Sequence, residues 1–209
     1  MVGKFGNGKH VIDRHVVIPT RFSRQTLAPL VEACRVVAEV VLVHTEPGHA
    51  PVFGVTNVRS SSLSIQRWWN TGLDLCHGPT LVLNDDIVAS PEDLELLFDA
   101  LDTADVVYLA GHRAGHATPL TGWCYGLRPD VIRPDDAFQW WAGDDDLYLR
   151  ALRDGLTVTA VDVPDIVHHR GVEAFENPVH AAMVDADMRL LHDRFGSTVN
   201  VGGVVQFGV

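Results

Sequence analysis

The chain has 209 residues, 46% of them hydrophobic and 21% charged, with a formal charge of −11 at pH 7. That length suits one well-packed domain of a soluble globular protein, and the acidic balance excludes a general nucleic-acid binder, which must neutralise many phosphates with Lys and Arg. Cys34, Cys76 and Cys124 are odd in number and widely spaced, which excludes a disulfide framework and a zinc cluster and leaves small core residues.

In chain order, His15–Pro19 reads as a first strand, followed by Thr20, Arg21 and Phe22. Ser23 can cap a helix to about Arg35, where Leu27, Leu30, Val31 and Cys34 recur at helical spacing. Glu39–His44 is a nearly all-apolar strand of the kind buried on both faces of a parallel sheet. Pro51–Thr56 is expected as a third strand, Ser62–Cys76 as a helix ended by Gly78 and Pro79, and Thr80–Leu83 as a fourth strand. Ser90, Pro91, Glu92 and Asp93 form a strong helix start, with cap, first-turn proline and third-position carboxylate, for a helix to about Leu101. Asp105–Ala110 is a further strand, and Gly111–Thr121, rich in Gly, His and Pro and carrying His112, Arg113 and His116, reads as a loop. A helix Asp144–Arg153 closed by Gly155, a strand Thr157–Val161 and a final helix Asn177–Phe195 closed by Gly196 complete the order. The alternation predicts an α/β fold with a mainly parallel central sheet flanked by helices, as one domain over 1–209 with a core of about 11–196 and a tail at 197–209. No apolar run of signal-peptide type follows Met1–His10, and nothing approaches the ~20 apolar residues of a membrane span. A cytoplasmic location is the expectation.

Three polar clusters interrupt this pattern. Asn84, Asp85 and Asp86 follow the strand Thr80–Leu83, at a sheet edge where α/β proteins bind ligands. Such carboxylates are either solvated turn residues or ligands for a hard cation that prefers oxygen donors. Gly143, Asp144, Asp145 and Asp146 follow Trp140 and Trp141. Adjacent aspartates at ~4 Å repel by about 1 kcal/mol per pair in water and about 4 kcal/mol at an effective dielectric near 20. They favour solvent, a raised pKa or a cation, and equally suit an acidic first turn against the helix macrodipole. His168 and His169 follow a short apolar segment and are either a surface pair or metal ligands, of which one suffices because neighbours on a strand point to opposite faces.

Taken together, these residues resemble the inverting nucleotide-sugar glycosyltransferases of family 2 and their relatives with the glycosyltransferase A fold, over His15 to about Gly196. The strand ending in Pro19, Thr20 and Arg21 matches the segment where that family lodges the nucleotide base. Arg67, Trp68, Trp69, Asn70, Thr71 and Gly72 resemble its Arg-Asn-x-Gly helix beneath the donor. Asn84, Asp85 and Asp86 match its Asp-x-Asp motif, with Asp86 as the implied metal ligand and Asn84 and Asp85 beside the donor. Trp141 to Leu147 is similar to the acidic acceptor-side motif, and His168 or His169 falls where many members contribute a metal-binding histidine. The family's Asp-Asp-Gly-Ser after the second strand is replaced by His44, Thr45, Glu46, Pro47 and Gly48, which leaves Glu46 as the donor-contact candidate there.

The resemblance implies an enzyme, a hexosyl- or pentosyltransferase that uses Mn²⁺ or Mg²⁺ to move a sugar from a UDP-, GDP- or TDP-linked donor to an acceptor hydroxyl with inversion. Asp144 or Asp145 would be the general base, a role worth roughly 10²- to 10⁴-fold. Trp123, Trp140, Trp141 and Asp146 would line the acceptor side, although core burial is the commoner fate of tryptophan. Arg67 is either an ordinary surface ion pair or a diphosphate contact. Two alternatives accompany this expectation. One is a sugar nucleotidyltransferase, whose Gly-rich loop after the first strand is not matched by Pro19–Ser23; the other is a non-catalytic nucleotide- or saccharide-binding module.

Overall fold

A computed structural model of the chain describes residues 13–21, 24–45, 51–111, 118–169 and 178–196. The strands are β1 (His15–Thr20), β2 (Glu39–His44), β3 (Thr56–Arg59), β4 (Thr80–Leu83), β5 (Ile87–Val88), β6 (Val106–Leu109), β7 (Cys124–Leu127), β8 (Val158–Val161) and β9 (Val167–His168). The helices are α1 (Leu27–Val37), α2 (Ile65–Leu73), α3 (Pro91–Leu101), α4 (Gly143–Arg153) and α5 (Pro178–Phe195). Seven strands form one sheet in the order β3-β2-β1-β4-β7-β6-β8, and β5 pairs with β9 in a small second sheet. In the main sheet β7 runs antiparallel to both of its neighbours, and all other pairings are parallel.

Strand residues alternate between two apolar layers, as period-two side-chain geometry requires. Val16, Ile18, Leu42, Leu81 and Leu83 pack with Leu30 and Cys34 of α1 and with Leu94, Leu97 and Phe98 of α3. Val17, Val41, Val43, Val82 and Tyr125 face the other way, onto Trp68, Trp69 and Leu73 of α2 and Leu147 and Ala151 of α4. A third cluster joins Phe138, Ala142, Leu149 and Leu191 between the approach to α4 and the end of α5. All three cysteines are free and buried, and burial pushes the Cys34 thiol up to about 12 and the Cys76 thiol to about 11.

Differences from the sequence-based expectations have local causes. The third strand lies at Thr56–Arg59, not Pro51–Thr56, because the Asn57 amide donates to the Val52 and Val55 carbonyls and its oxygen accepts from Val52 N–H, folding 52–55 into a turn. α1 starts at Leu27; Ser23 lies outside the described residues, and Thr26 at the cap position sends its hydroxyl to the Asp85 carbonyl (2.6 Å). α2 is shorter than expected at both ends, starting from a Ser64 cap. β7 was not foreseen. It lacks β-branched residues and carries Gly126, which is required there because an added Cβ would lie 2.7–2.9 Å from Val107, Leu81 and Leu101. Residues 112–117, with His112, Arg113 and His116, and residues from 197 on lie outside the described residues, as does Glu46.

α3 forms as its sequence predicts. Ser90 N–H and Oγ donate to Asp93 Oδ2 (2.8 and 2.7 Å), and Asp93 N–H donates back to Ser90 Oγ (3.2 Å). Ser90→Ala removes one half of this reciprocal cap and is expected to destabilise the fold by about 1 kcal/mol, read from the midpoint of urea denaturation at an unchanged m-value.

Candidate functional site

β1 and β4 are adjacent and parallel, so their C-terminal ends emerge side by side. Asp85, just past β4, turns towards β1. Its Oδ2 accepts from Thr20 Oγ1 (2.7 Å), and its carbonyl accepts from Thr26. Its carboxyl is held above the usual range, chiefly by burial; the Thr20 hydroxyl opposes this, the Asp86 charge adds to it, and Arg24 and the Arg21 backbone N–H oppose it.

Asp86 turns the opposite way. The β5–β9 ladder pairs Ile87 with His168, and His169 N–H donates to the Asp86 carbonyl (2.8 Å). This brings His168 Nε2 to 3.2 Å from Asp86 Oδ1. The imidazole stacks on the Trp123 indole at 4.6 Å and 9°. Trp123, just before β7, accepts Asn84 N–H at its carbonyl (2.9 Å), which closes a ring of contacts around the edge. His169 is exposed, so of the twin histidines it is His168 whose ring lies against Asp86. Asp86 Oδ1, Asn84 Oδ1 and His168 Nδ1 are buried and make no hydrogen bond. Buried oxygens in that condition are uncommon and mark a place where a ligand, ion or water belongs.

The acidic run starts α4 on the neighbouring part of the same edge. Asp144 Oδ2 accepts from Gly122 N–H (2.7 Å), one residue before Trp123, and Asp145 Oδ1 accepts from Thr118 N–H (2.8 Å). Both are buried. Asp146 corrects an expectation. It is 0% exposed, its Oδ2 accepts from Arg150 (2.6 Å) and its Oδ1 from Arg194 (2.9 Å), so it anchors α4 to α5 and offers no oxygen to an acceptor.

The two tryptophans before α4 are held by a residue that sequence reading passed over. Asp187 of α5, 1% exposed, accepts backbone N–H groups from Gln139, Trp140 and Trp141 at 2.7–3.0 Å. Its signal was present in the buried stripe His180, Val184, Asp187 and Leu191, where a carboxylate occupies a helix face that otherwise packs against protein. The turn ends at Ala142, whose φ of 57° is uncommon for a residue with a Cβ. Gly143 follows because any side chain there would run into the Gln66 amide.

The remaining candidates separate. Trp123 is buried behind His168 and backs the imidazole instead of presenting an open face. Trp140 and Trp141 are half-buried. Pro19 is a buried β1 residue in register with Val43. Arg67 is exposed on α2, and Asn70 donates to the Pro134 carbonyl (2.9 Å) and Asp136 (2.6 Å). Among the described residues, no side-chain hydrogen bond of Arg67 or Asn70 reaches Asp85 or Asp86. Nor, among the described residues, do three or more His, Cys, Asp or Glu side chains gather closely enough to hold a metal by themselves. No helix among them is long and apolar enough to cross a membrane.

No family model matches this sequence, and neither does any curated protein. Solved structures do match. The inositol-1-phosphate CTP transferase from T. maritima aligns with a TM-score of 0.53 at 10% identity, over 82% of this chain and 94% of that one. The 2-C-methyl-D-erythritol 4-phosphate cytidylyltransferase from Thermus thermophilus gives 0.45 at 15% identity, over 84% and 97%. The glycosyltransferase GlyE of Streptococcus pneumoniae TIGR4 gives 0.42 at 11% identity, over 92% and 45%. The chain has the α/β sheet fold of the CTP transferase. By name, two of these three neighbours are nucleotidyltransferases and one is a glycosyltransferase.

The Asp85 environment generates a test. A carboxyl whose folded-state pKa is raised contributes stability that is complete below its unfolded-state value and is lost as pH rises through the folded value. Asp85→Asn keeps an acceptor for Thr20 and removes the charge. It is expected to be at least as stable as the wild type at pH 7, with the difference vanishing below about pH 4. Urea denaturation at both pH values reads this, and a variant less stable at pH 7 would count against the assignment.

Proposed function

We propose that the chain is a divalent-cation-dependent transferase acting on a nucleoside-diphosphate substrate, and that glycosyl transfer with inversion is the reaction its side chains suit best. The observation that carries the reading is the buried Asp86 Oδ1, without a hydrogen bond and 3.2 Å from His168 Nε2 at the end of β4. An oxygen and an imidazole nitrogen are a donor set that Mn²⁺ or Mg²⁺ accepts, and a site this poor in protein ligands fits a cation that completes its shell with phosphate oxygens.

Asp86 and His168 would hold the cation. Bound there, it supplies Lewis-acid neutralisation of a departing diphosphate, a contribution of several kcal/mol. Trp123 fixes the imidazole plane by stacking, and the β5–β9 ladder fixes the Asp86 backbone. The Asp144 carboxylate, oriented by Gly122 N–H on the turn that carries Trp123, takes the proton from the acceptor hydroxyl. Asp144 is preferred to Asp145 because Asp145 is tied to Thr118 at 1% exposure, against 6% for Asp144. A single displacement inverts the anomeric centre.

Nucleotidyl transfer remains the second reading, favoured by the CTP transferase likeness. Two assays separate them: glycosyl transfer releases nucleoside diphosphate from a sugar nucleotide, whereas nucleotidyl transfer releases pyrophosphate from a nucleoside triphosphate and a sugar phosphate. Asp86→Ala is expected to abolish metal-stimulated nucleoside-diphosphate release, and unchanged release removes the basis of the proposal. Asp144→Asn is expected to lower kcat by roughly 10²-fold or more with little change in donor affinity, while Asp145→Asn is expected to cost less turnover. The opposite order would transfer the role to Asp145. In calorimetry, Mn²⁺ alone is expected to bind weakly and to bind tightly only together with a nucleoside diphosphate.

A further inference from the structure

Arg21 leaves the end of β1 and places its guanidinium 5.7 Å from the ring centres of both Trp68 and Trp140. All three parts of this cage are pinned. Trp68 Nε1 donates to the Ser62 carbonyl (2.7 Å), Trp140 N–H donates to Asp187 (2.7 Å), and the Arg21 backbone N–H serves Asp85. The Trp140 ring is further backed by His180 of α5, stacked at 4.0 Å and 14°.

The guanidinium itself makes no hydrogen bond or ion pair among the described residues. In a chain with 27 acidic and 16 basic residues that is a poor use of an arginine, since a carboxylate is easily found. Arg14, Arg133, Arg150 and Arg194 each have one. Aromatic faces hold a guanidinium through its π-surface and leave its planar fork of N–H donors directed elsewhere, a geometry that matches phosphate or carboxylate.

We infer that Arg21 is the anion-recognition element of this site and that the acceptor carries a phosphate or carboxylate, an identification that rests on the proposed function. The donor's diphosphate is the other source of such an anion. Two observations favour the acceptor. Asp86 and His168 lie on the β7 side of the edge and Arg21 on the β1 side, with Asp85 between them, so the cation and the guanidinium would meet different anions. Trp140 also belongs to the turn that leads directly into Asp144, the group assigned to the acceptor hydroxyl.

Inorganic phosphate titrated into the metal-free protein tests this, with the fluorescence of the five tryptophans, Trp68 and Trp140 among them, as the readout. Saturable binding is expected in the wild type, weakened about tenfold or more in Arg21→Gln and to a lesser degree in Arg21→Lys, which keeps the charge without the fork. Equal affinity in wild type and Arg21→Gln, or no saturable binding in the wild type, overturns the proposal. If Arg21→Gln melts at a lower temperature, the Lys variant decides, and wild-type affinity there overturns the recognition of the anion by the fork. Repeating the titration with Mn²⁺ and nucleoside diphosphate present separates the sources: retained phosphate affinity supports the acceptor, and competitive displacement overturns that assignment in favour of the donor. Because no turnover is read, a failure of the Asp86 test would leave this result interpretable.

Discussion

Two consecutive carboxylates at the end of β4 cannot share one environment without strong mutual repulsion, and the fold separates them by turning them to opposite neighbours. Asp85 faces β1 and is held by the Thr20 hydroxyl; Asp86 faces β9 and lies against His168. That division depends on β4 lying between a parallel and an antiparallel partner. It converts a run of like charge into two distinct sites, one holding the β1 end in place and the other presenting a buried oxygen beside an imidazole.

The same logic recurs at the start of α4. Three aspartates in sequence take three partners: Gly122 N–H, Thr118 N–H, and the Arg150–Arg194 pair. A buried charge is tolerated where hydrogen bonds and opposite charges compensate its lost hydration. The compensating groups come from residues 118–122 before β7, from α4 itself and from α5, so the acidic run ties these three together. Asp187 adds a fourth tie by gathering the N–H groups of residues 139–141. The α5 helix therefore acts on the edge through backbone remote from it in sequence, and it sets where Trp140 stands relative to Arg21.

Much of this was legible in the residues. The apolar runs at His15–Pro19, Glu39–His44 and Thr80–Leu83, the capping box at Ser90–Asp93 and the glycines closing α4 and α5 all express local rules, and each element formed where those rules place it. What escaped was non-local or lacked a propensity signal. β7 has a glycine at its centre and is held by packing between β4 and β6. The shift of β3 follows from one asparagine side chain capturing a turn. The commitment of Asn70 and the tie of Asp146 to α5 were invisible because the partners, at 134–136 and at Arg194, lie far along the chain.

By itself the sequence determined the α/β class, the position of most elements and the fact that acidic and histidine clusters fall at strand ends, because hydrophobic periodicity and capping act within a few residues of one another. Which carboxylate meets which partner was decided only by tertiary structure. The two-residue ladder of β5 and β9 chose His168 over His169, the salt links of α5 withdrew Asp146 from the edge, and the Trp68–Trp140 cage set apart Arg21 from the other arginines. These outcomes depend on distances between segments remote in sequence, and no local preference encodes such a distance.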